Sequence, residues 1–142
     1  MVIDASTTAP TKGTIVTDSA LFARFGDSAH IRYDYEQSTG GASGTGTYLF
    51  KLPSGLEADL TKITANTLQN PIGVVGPASS GTAAGPAPGH CNLYDSTSIV
   101  LQTGSAVITP QHVDSAHDPL GTANQKYSFF AVVPILGWKV HY

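Results

Sequence analysis

The pattern of apolar and polar positions predicts a chain made of short β-strands. The clearest alternation covers residues 29–36, where Ile31, Tyr33 and Tyr35 fall on one side and polar residues on the other. Other β-prone runs, several of them ending at turn residues, cover 14–17, 20–25, 45–52, 72–75, 90–94, 97–102 and 107–109. Glycine and proline around 72–75 predict an edge strand or a bulge there. Only residues 56–63 have a helix-like pattern, so we expect an all-β sandwich or jelly roll of about eight to ten antiparallel strands.

The strand at residues 127–133 differs from the others because both of its sides are apolar. One side carries Tyr127, Phe129, Ala131 and Val133; the other carries Phe130 and Val132, with Ser128 as its polar residue. The run is too short to cross a membrane, and its aromatic and β-branched residues favour a strand. A strand that is apolar on both sides is covered on both sides. A second sheet of the same chain can cover one side, and we expect a partner subunit to cover the other.

Composition supports the all-β prediction and excludes some functions. Charged residues make up 12% of the chain, about half the share of a typical soluble domain. The 15 glycines and 9 prolines fit many turns between short strands. The net charge is −3 and the seven basic residues are scattered, so we expect no nucleic-acid partner. No cofactor is predicted.

The chain has one cysteine, Cys91, so an intramolecular disulfide is impossible and stability must come from packing or assembly. The first residues have neither the basic start nor the apolar core of a secretion signal. A low-charge surface without these features favours synthesis in the cytoplasm and release by another route. A virion component fits this combination, and an ordinary cytosolic protein fits it nearly as well.

The sequence divides into a neck and one folded domain. Residues 1–13 lack apolar periodicity and predict a neck or linker, whereas 14–142 hold the strand signals. Two long loops are expected, at 78–89 and 110–124. The glycine-rich stretch 38–46 has no following helix and no phosphate-loop lysine, which argues against a phosphate site.

One loop could in principle hold a metal ion. Imidazole and carboxylate groups lie within seven residues, at His112, Asp114, His117 and Asp118. Their spacing matches no closed zinc pattern, and a polar surface loop explains them as well. No metal is predicted.

Catalytic motifs are weak. His90 and Cys91 are adjacent on a predicted strand, so they point to opposite sides, and Cys91 shares its side with Leu93 as a small buried residue would. No Gly-x-Ser-x-Gly elbow supports a serine hydrolase, and no carboxylate pair stands out for glycoside hydrolysis. We therefore do not expect an enzyme.

Two arginines stand out in a chain with few cations. Arg24 lies among apolar neighbours, and Arg32 lies on the polar side of the 29–36 strand. A guanidinium in such surroundings suits a carboxylate, so both are candidates for binding a small anion between subunits. The alternative is a solvated side chain lying along apolar surface.

The closing strand resembles the C-terminal knob domains of bacteriophage tail fibres and tail needles. The resemblance rests on residues 127–135, followed by Gly137-Trp138, and less specifically on 29–33, 48–55 and 94–98. It spans about residues 14–138 and is most like the knob of a podovirus tail needle. It implies a jelly roll of the tumour necrosis factor type that forms homotrimers, with Tyr127, Phe129, Phe130 and Val132 as candidates for the trimer core. It brings no active-site motif.

The resemblance implies a virion component at the tail tip. Needles of this kind plug the portal channel, keep the genome in the capsid and contact the host envelope first during ejection. The partners expected from it are two further copies of the chain and the bacterial envelope or a surface glycan. The first alternative is a receptor- or glycan-binding fibre tip, and the second is a hydrolase domain acting on surface polysaccharide.

Overall fold

All regular elements described by the computed structural model are β-strands; the structure describes residues 1–65, 70–78, 87–104, 110–114 and 120–139. The nine strands are β1 (Ile3–Ala5), β2 (Ile15–Phe25), β3 (Ser28–Gln37), β4 (Tyr48–Lys51), β5 (Pro71–Ala78), β6 (Ala87–Asp95), β7 (Ser98–Gly104), β8 (Pro110–His112) and β9 (Lys126–Pro134). Every pairing between them is antiparallel. The predicted all-β class and strand number are confirmed for this part of the chain.

The strands form one sheet in the order β1-β4-β7-β6-β5-β9-β3-β2, with β8 also paired to β7. Strands β5, β6 and β7 are consecutive neighbours, and β4 lies beside β7, which is a Greek-key order. The first strand therefore lies at one end of the sheet and β2 at the other. The last strand, β9, lies in the interior between β5 and β3.

The alternation in β3 and β9 fixes which side chains enter the core. Tyr33 is opposite Phe129 and Tyr35 is opposite Tyr127, and all four side chains are almost fully buried. Residues directly opposite each other point to the same side of a sheet. The intervening residues of both strands therefore lie on the other side.

An aromatic cluster joins strands that are far apart in the sheet. The ring of Phe50 on β4 lies 5.6 Å, centroid to centroid, from both Tyr127 and Phe129 on β9, and 6.0 Å from Tyr33 on β3. Three strands separate β4 from β9 in the sheet order. The sheet must therefore curl until its two ends face each other, as in a sandwich.

Residues 1–13, predicted as a neck, instead lie against the sheet. Ile3 on β1 is opposite Phe50 and is only 6% exposed. The Gly13 amide donates to Gln37 Oε1 at 3.0 Å, and Lys12 Nζ lies 5.3 Å from the ring centroid of Tyr35 and donates to Asp18 Oδ2. Because the residues between these contacts are mostly polar, the sequence has no apolar periodicity that would predict them.

The helix-like stretch at 56–63 is not a helix, which corrects the prediction. In a helix the Thr61 amide would donate to the Glu57 carbonyl, but here that carbonyl accepts from the Leu136 amide and the Thr61 amide donates to Asp59 Oδ1. The Asp59 carboxylate accepts hydrogen bonds from the amide and hydroxyl of Thr61, which holds a turn. Local side-chain bonds of this kind compete with helix formation.

The glycines and prolines of β5 do not mark an edge strand. The strand has bulges, as expected, but it lies between β6 and β9. A Cβ on Gly73 would lie 1.9 Å from the backbone oxygen of Phe130, so close approach of β9 requires glycine here. The glycine reflects tight pairing in the sheet interior.

The two predicted loops are shorter than expected. Strand β5 ends and strand β6 begins within the predicted loop at 78–89, and β8 lies within the predicted loop at 110–124. The rest of both loops falls largely outside the described residues, as does the strand predicted at 107–109.

Asp18 is the main charged anchor between β2 and residues 1–13. Burial raises its pKa, but hydrogen bonds from Lys12 and Tyr33 and the charge of Lys12 outweigh that effect and lower the pKa of Asp18 below its ordinary value. The Tyr33 hydroxyl donates to Asp18 Oδ1 at 2.9 Å. The ionised carboxylate therefore stabilises the folded state.

We expect Gly73→Ala to lower the free energy of unfolding by about 2 kcal/mol or more, because the new methyl meets backbone rather than a movable side chain. Gly76→Ala is the matched control, since its Cβ would lie 3.3 Å from the Ser128 side chain. Urea unfolding at one protein concentration measures both. Equal losses in the two variants would contradict the close-approach explanation.

We expect Asp18→Asn to lower the free energy of unfolding by about 1–2 kcal/mol at pH 7. The contribution of the carboxylate is complete above the ordinary aspartate pKa of about 3.9 and is lost as the pH falls through the lower pKa of the folded state. The gap between wild type and variant should therefore shrink as the pH is lowered below about 4 in urea unfolding curves. A gap that stays constant across this range would show that the carboxylate charge is not responsible.

Candidate interaction surface

The outward side of β9 carries apolar residues that the chain itself does not cover. Phe130 is 43% exposed, and Val132 next to it on the same side is half-buried. Tyr127 and Phe129, in contrast, are 1% and 2% exposed inside the subunit's own core. Of the four candidates for a trimer core, Phe130 and Val132 are available to a partner, while Tyr127 and Phe129 are not.

The apolar surface continues across the neighbouring strands. Phe130 is opposite Arg32 on β3 and Val74 on β5, and Arg32 is opposite Leu21 on β2. Neighbouring strands lie about 4.8 Å apart, so these side chains form one row across four strands. Val74 is 62% exposed and Leu21 is 64% exposed.

Phe25 joins this row through His30. The His30 ring lies 5.5 Å from the ring of Phe25 and 5.9 Å from the ring of Phe130, measured between centroids. Phe25 is the most exposed of the large apolar residues named here, at 75%. We call the four residues Leu21, Phe25, Val74 and Phe130 the outer patch.

Strand β2 is also exposed on its other side. Phe22 is opposite Ile31, so it points to the side of the sheet that holds the core, yet it is 54% exposed. Ile15, opposite Gln37, faces the same way and is 50% exposed. We call Ile15, Ala20 and Phe22 the inner face of β2. From Ala20 to Ala23 this edge strand is therefore exposed on both sides.

We did not predict the exposure of β2, although its sequence contains a pattern that indicates it. The run Ala20-Leu21-Phe22-Ala23 places apolar residues at consecutive positions, so neither side of the strand is polar. The closing strand has the same two-sided pattern. A count of strands with two apolar sides would have found both.

The two arginine candidates do not form one site within the subunit. Arg24 is opposite Ala29 on the core side, whereas Arg32 is opposite Phe130 on the outward side. Arg24 donates to the carbonyls of Gly26 and Lys139 at 2.9 and 3.2 Å, and its guanidinium lies 4.9 Å from the Trp138 ring centroid. Two of its five N–H donors are thus engaged within the chain.

Arg32 is paired with a carboxylate of its own strand. Its Nε donates to Asp34 Oδ2 at 2.8 Å, and its side chain is 67% exposed. Ser128 also donates to Asp34, at 2.9 Å. Arg32 keeps exposed donors at the centre of the outer row, so binding of a small anion there stays a prediction.

The thiol candidate is buried, as its alternation predicted. Cys91 is fully buried, and burial raises the pKa of its thiol to about 12. Cys91 is opposite Gly73 and His90 is opposite Val74, so the two side chains point to opposite sides. A protonated, enclosed thiol is a poor nucleophile.

The metal candidate lies mostly outside the described residues, because 115–119 contain His117 and Asp118. Within the described part of the chain, no group of three or more potential ligands comes together. In the same part, no helix is long and apolar enough to span a membrane.

One open groove lies beside the loop that follows β4. Its volume is about 460 Å³, and its lining includes Lys51, Leu56, Glu57 and Leu136. Lys51 Nζ donates to Ser98 Oγ at 2.9 Å and lies 3.8 Å from Asp4 Oδ2. The groove thus has an apolar wall with charged groups at its margin.

No protein-family model, curated protein sequence or solved structure matches this chain.

Proposed function

We propose that the chain is the distal knob of a bacteriophage tail needle. In this proposal three copies form a jelly-roll trimer that serves as a virion structural module and contacts the host envelope during genome ejection. The module is not an enzyme. The tail tip is its location after synthesis in the host cytoplasm.

The outer patch is the observation that carries the proposal. Phe25, Phe130, Leu21 and Val74 are 43–75% exposed on one side of the sheet; Val74 and Phe130 are directly opposite each other, and His30 and Arg32 on β3 connect them to the two β2 residues. Single exposed apolar residues are ordinary, whereas a contiguous group marks an interaction site. A knob that exists only as a trimer explains why a chain with few charges leaves this surface bare.

The outer patch supplies part of the energy that assembly needs. Full burial of one Phe, Leu or Val side chain contributes about 1.5–3 kcal/mol. These residues are already partly covered in the subunit, so each contributes a fraction of that amount. Over three subunits the outer patch contributes on the order of 10 kcal/mol, before the cost of association.

The fold gives coarser support. The antiparallel curled sheet and the Greek-key order of β4 to β7 are features that jelly rolls share. The resemblance to a knob ending covers residues 127–138, and in this stretch β9 supplies both the core residues and the outward Phe130. Neither feature depends on a catalytic site.

We expect the wild-type chain to be a trimer at micromolar concentration and Phe130→Asp to be a folded monomer. A carboxylate at this position would be charged in an apolar contact, but in the isolated subunit it would stay partly solvated. Light scattering coupled to size-exclusion chromatography measures the mass, and circular dichroism checks the fold. A monomeric wild type would reject the trimer.

Phe129→Asp is the matched control on the neighbouring position. Its side chain enters the subunit core, so we expect loss of folding rather than a change in assembly. If the two variants behaved alike, the assignment of the two sides of β9 would be wrong.

The groove favours a second candidate, a receptor- or glycan-binding fibre tip. A concave site of about 460 Å³ lies within the size range of small-ligand sites. We expect this candidate to give binding on a glycan array that Leu136→Asp weakens at least tenfold without changing the oligomeric mass. Absence of binding by the wild-type protein, or equal binding by Leu136→Asp, would remove the groove from consideration.

A further inference from the structure

We propose that His30 makes the contact through the outer patch sensitive to pH, so that the proposed trimer dissociates when the His30 imidazole takes up a proton. The inference rests on the proposed trimer and concerns the regulation of that same surface. Histidine ordinarily changes its charge between pH 5 and 8. The switch therefore operates in mildly acidic solution.

His30 lies in the middle of the outer patch. Its strand, β3, is between β2 and β9, and its ring lies 5.5 Å from the ring of Phe25 on β2 and 5.9 Å from the ring of Phe130 on β9. It is directly opposite Ala23 and Val132. The imidazole is thus flanked by apolar side chains on both neighbouring strands.

The imidazole is half-buried in the subunit, so part of it still contacts water. A contact that covers both Phe25 and Phe130 also covers the ring between them. Removal of an imidazole from water disfavours its charged form more than its neutral form. Assembly through the outer patch therefore favours the neutral imidazole.

The contacts with the two phenylalanine rings do not reverse this preference. An aromatic ring attracts a cation that lies near its face. Phe25 and Phe130 lie beside His30 within one subunit, so this attraction is already present in the free subunit. What assembly changes is the solvation of the imidazole, and that change opposes the proton.

The charged groups nearest along β3 are already paired with each other. Arg32 is two residues from His30 on the same side, about 7 Å along the strand, and is itself a cation. Asp34 accepts hydrogen bonds from Arg32 and Ser128. Burial raises the pKa of Asp34, but these hydrogen bonds and the charge of Arg32 outweigh that effect and lower the pKa below its ordinary value. Arg32 and Asp34 therefore keep their charges while the imidazole titrates.

Strand β2 adds no charge on the side of His30. Its outward residues, at alternate positions from Ser19 to Phe25, are uncharged, whereas Asp18 and Arg24 point to the core side. The imidazole therefore meets only apolar and hydroxyl side chains across this strand pair.

Two ion pairs and a second histidine flank this surface. Lys62 Nζ is 2.8 Å from Asp27 Oδ2 at the turn between β2 and β3, and Lys126 Nζ is 2.9 Å from Glu36 Oε1 near the other end of β3. His90 is on β6, separated from β9 by β5. The imidazole between the two phenylalanines is therefore the titrating group that a contact through the outer patch covers.

The sign of the pH effect follows from the proton count. A trimer that holds its three imidazoles neutral binds fewer protons than three free subunits. Lowering the pH through the histidine range therefore favours the free subunits. Three equivalent sites act together, so a small preference at each site becomes a larger effect on assembly.

The test is a dilution series of the full chain at about pH 8 and about pH 5.5, with the mass measured by light scattering. The concentration at which half of the wild-type chains are trimeric should be about tenfold or more higher at the acidic pH. Circular dichroism at both pH values checks that the subunits stay folded.

His30→Gln is neutral at both pH values, so its midpoint concentration should be the same at both. His90→Gln is the matched control, because His90 also lies on the outward side but two strands away from Phe130, and it should keep the wild-type difference. If His30→Gln does not assemble, His30→Phe, which continues the apolar surface, replaces it in the same comparison.

The outcomes separate this inference from the proposed trimer. Equal wild-type midpoints at the two pH values, or tighter assembly at the acidic one, would overturn the switch and leave the trimer intact. A pH dependence that persists in His30→Gln, or that disappears in His90→Gln, would overturn it as well. A wild type that is monomeric at both pH values would overturn both proposals.

Discussion

The contact of Phe50 with β9 is the interaction on which the rest of the structure depends. Its ring packs edge-on against Tyr127 and Phe129, and this contact holds the two ends of the curled sheet against each other. Aromatic pairs in this geometry add about 0.5–1.5 kcal/mol each beyond the burial of their area. Without it, β1 and β4 would have no interior to cover. The buried position of Ile3, and with it the attachment of residues 1–13, follows from this closure.

The sequence predicts burial best where the alternation of apolar and polar residues within one strand decides which side chains enter the core. Ile31, Tyr33 and Tyr35 alternate with polar residues, and the structure buries them as expected. The two apolar sides of β9 also indicate correctly that one of them lies outside the subunit's own core. The pattern alone does not tell which side enters the core, because Phe129 and Phe130 are the same residue type. That choice is made by the register with β3 and by the position of Phe50 across the interior.

The predictions failed where distant segments compete for the same backbone groups. Residues 56–63 have a helix-like pattern, but the Leu136 amide takes the Glu57 carbonyl that a helix would use. The glycines and prolines of β5 suggested an edge or a bulge; the strand has bulges but is no edge, and Gly73 is needed because β9 approaches too closely for any Cβ. Lys12 and Gly13 gave no pattern at all, and their partners lie on β2 and β3. Apart from Asp18, which is six residues from Lys12, these partners are too far away in the sequence to be predicted from a local window.

The place of β9 in the sheet has a consequence for how the chain folds. Strand β9 is the last strand in sequence, yet it pairs with β3, about a hundred residues earlier, and with β5 on its other side. Contacts between distant residues are slow to form, because the entropy of closing the long loop is lost before the contacts stabilise the chain. During synthesis on the ribosome, the edges of β3 and β5 that will pair with β9 therefore stay exposed until β9 emerges. The subunit cannot complete its fold before β9 is available, and its exposed strand edges depend during that interval on protection from aggregation.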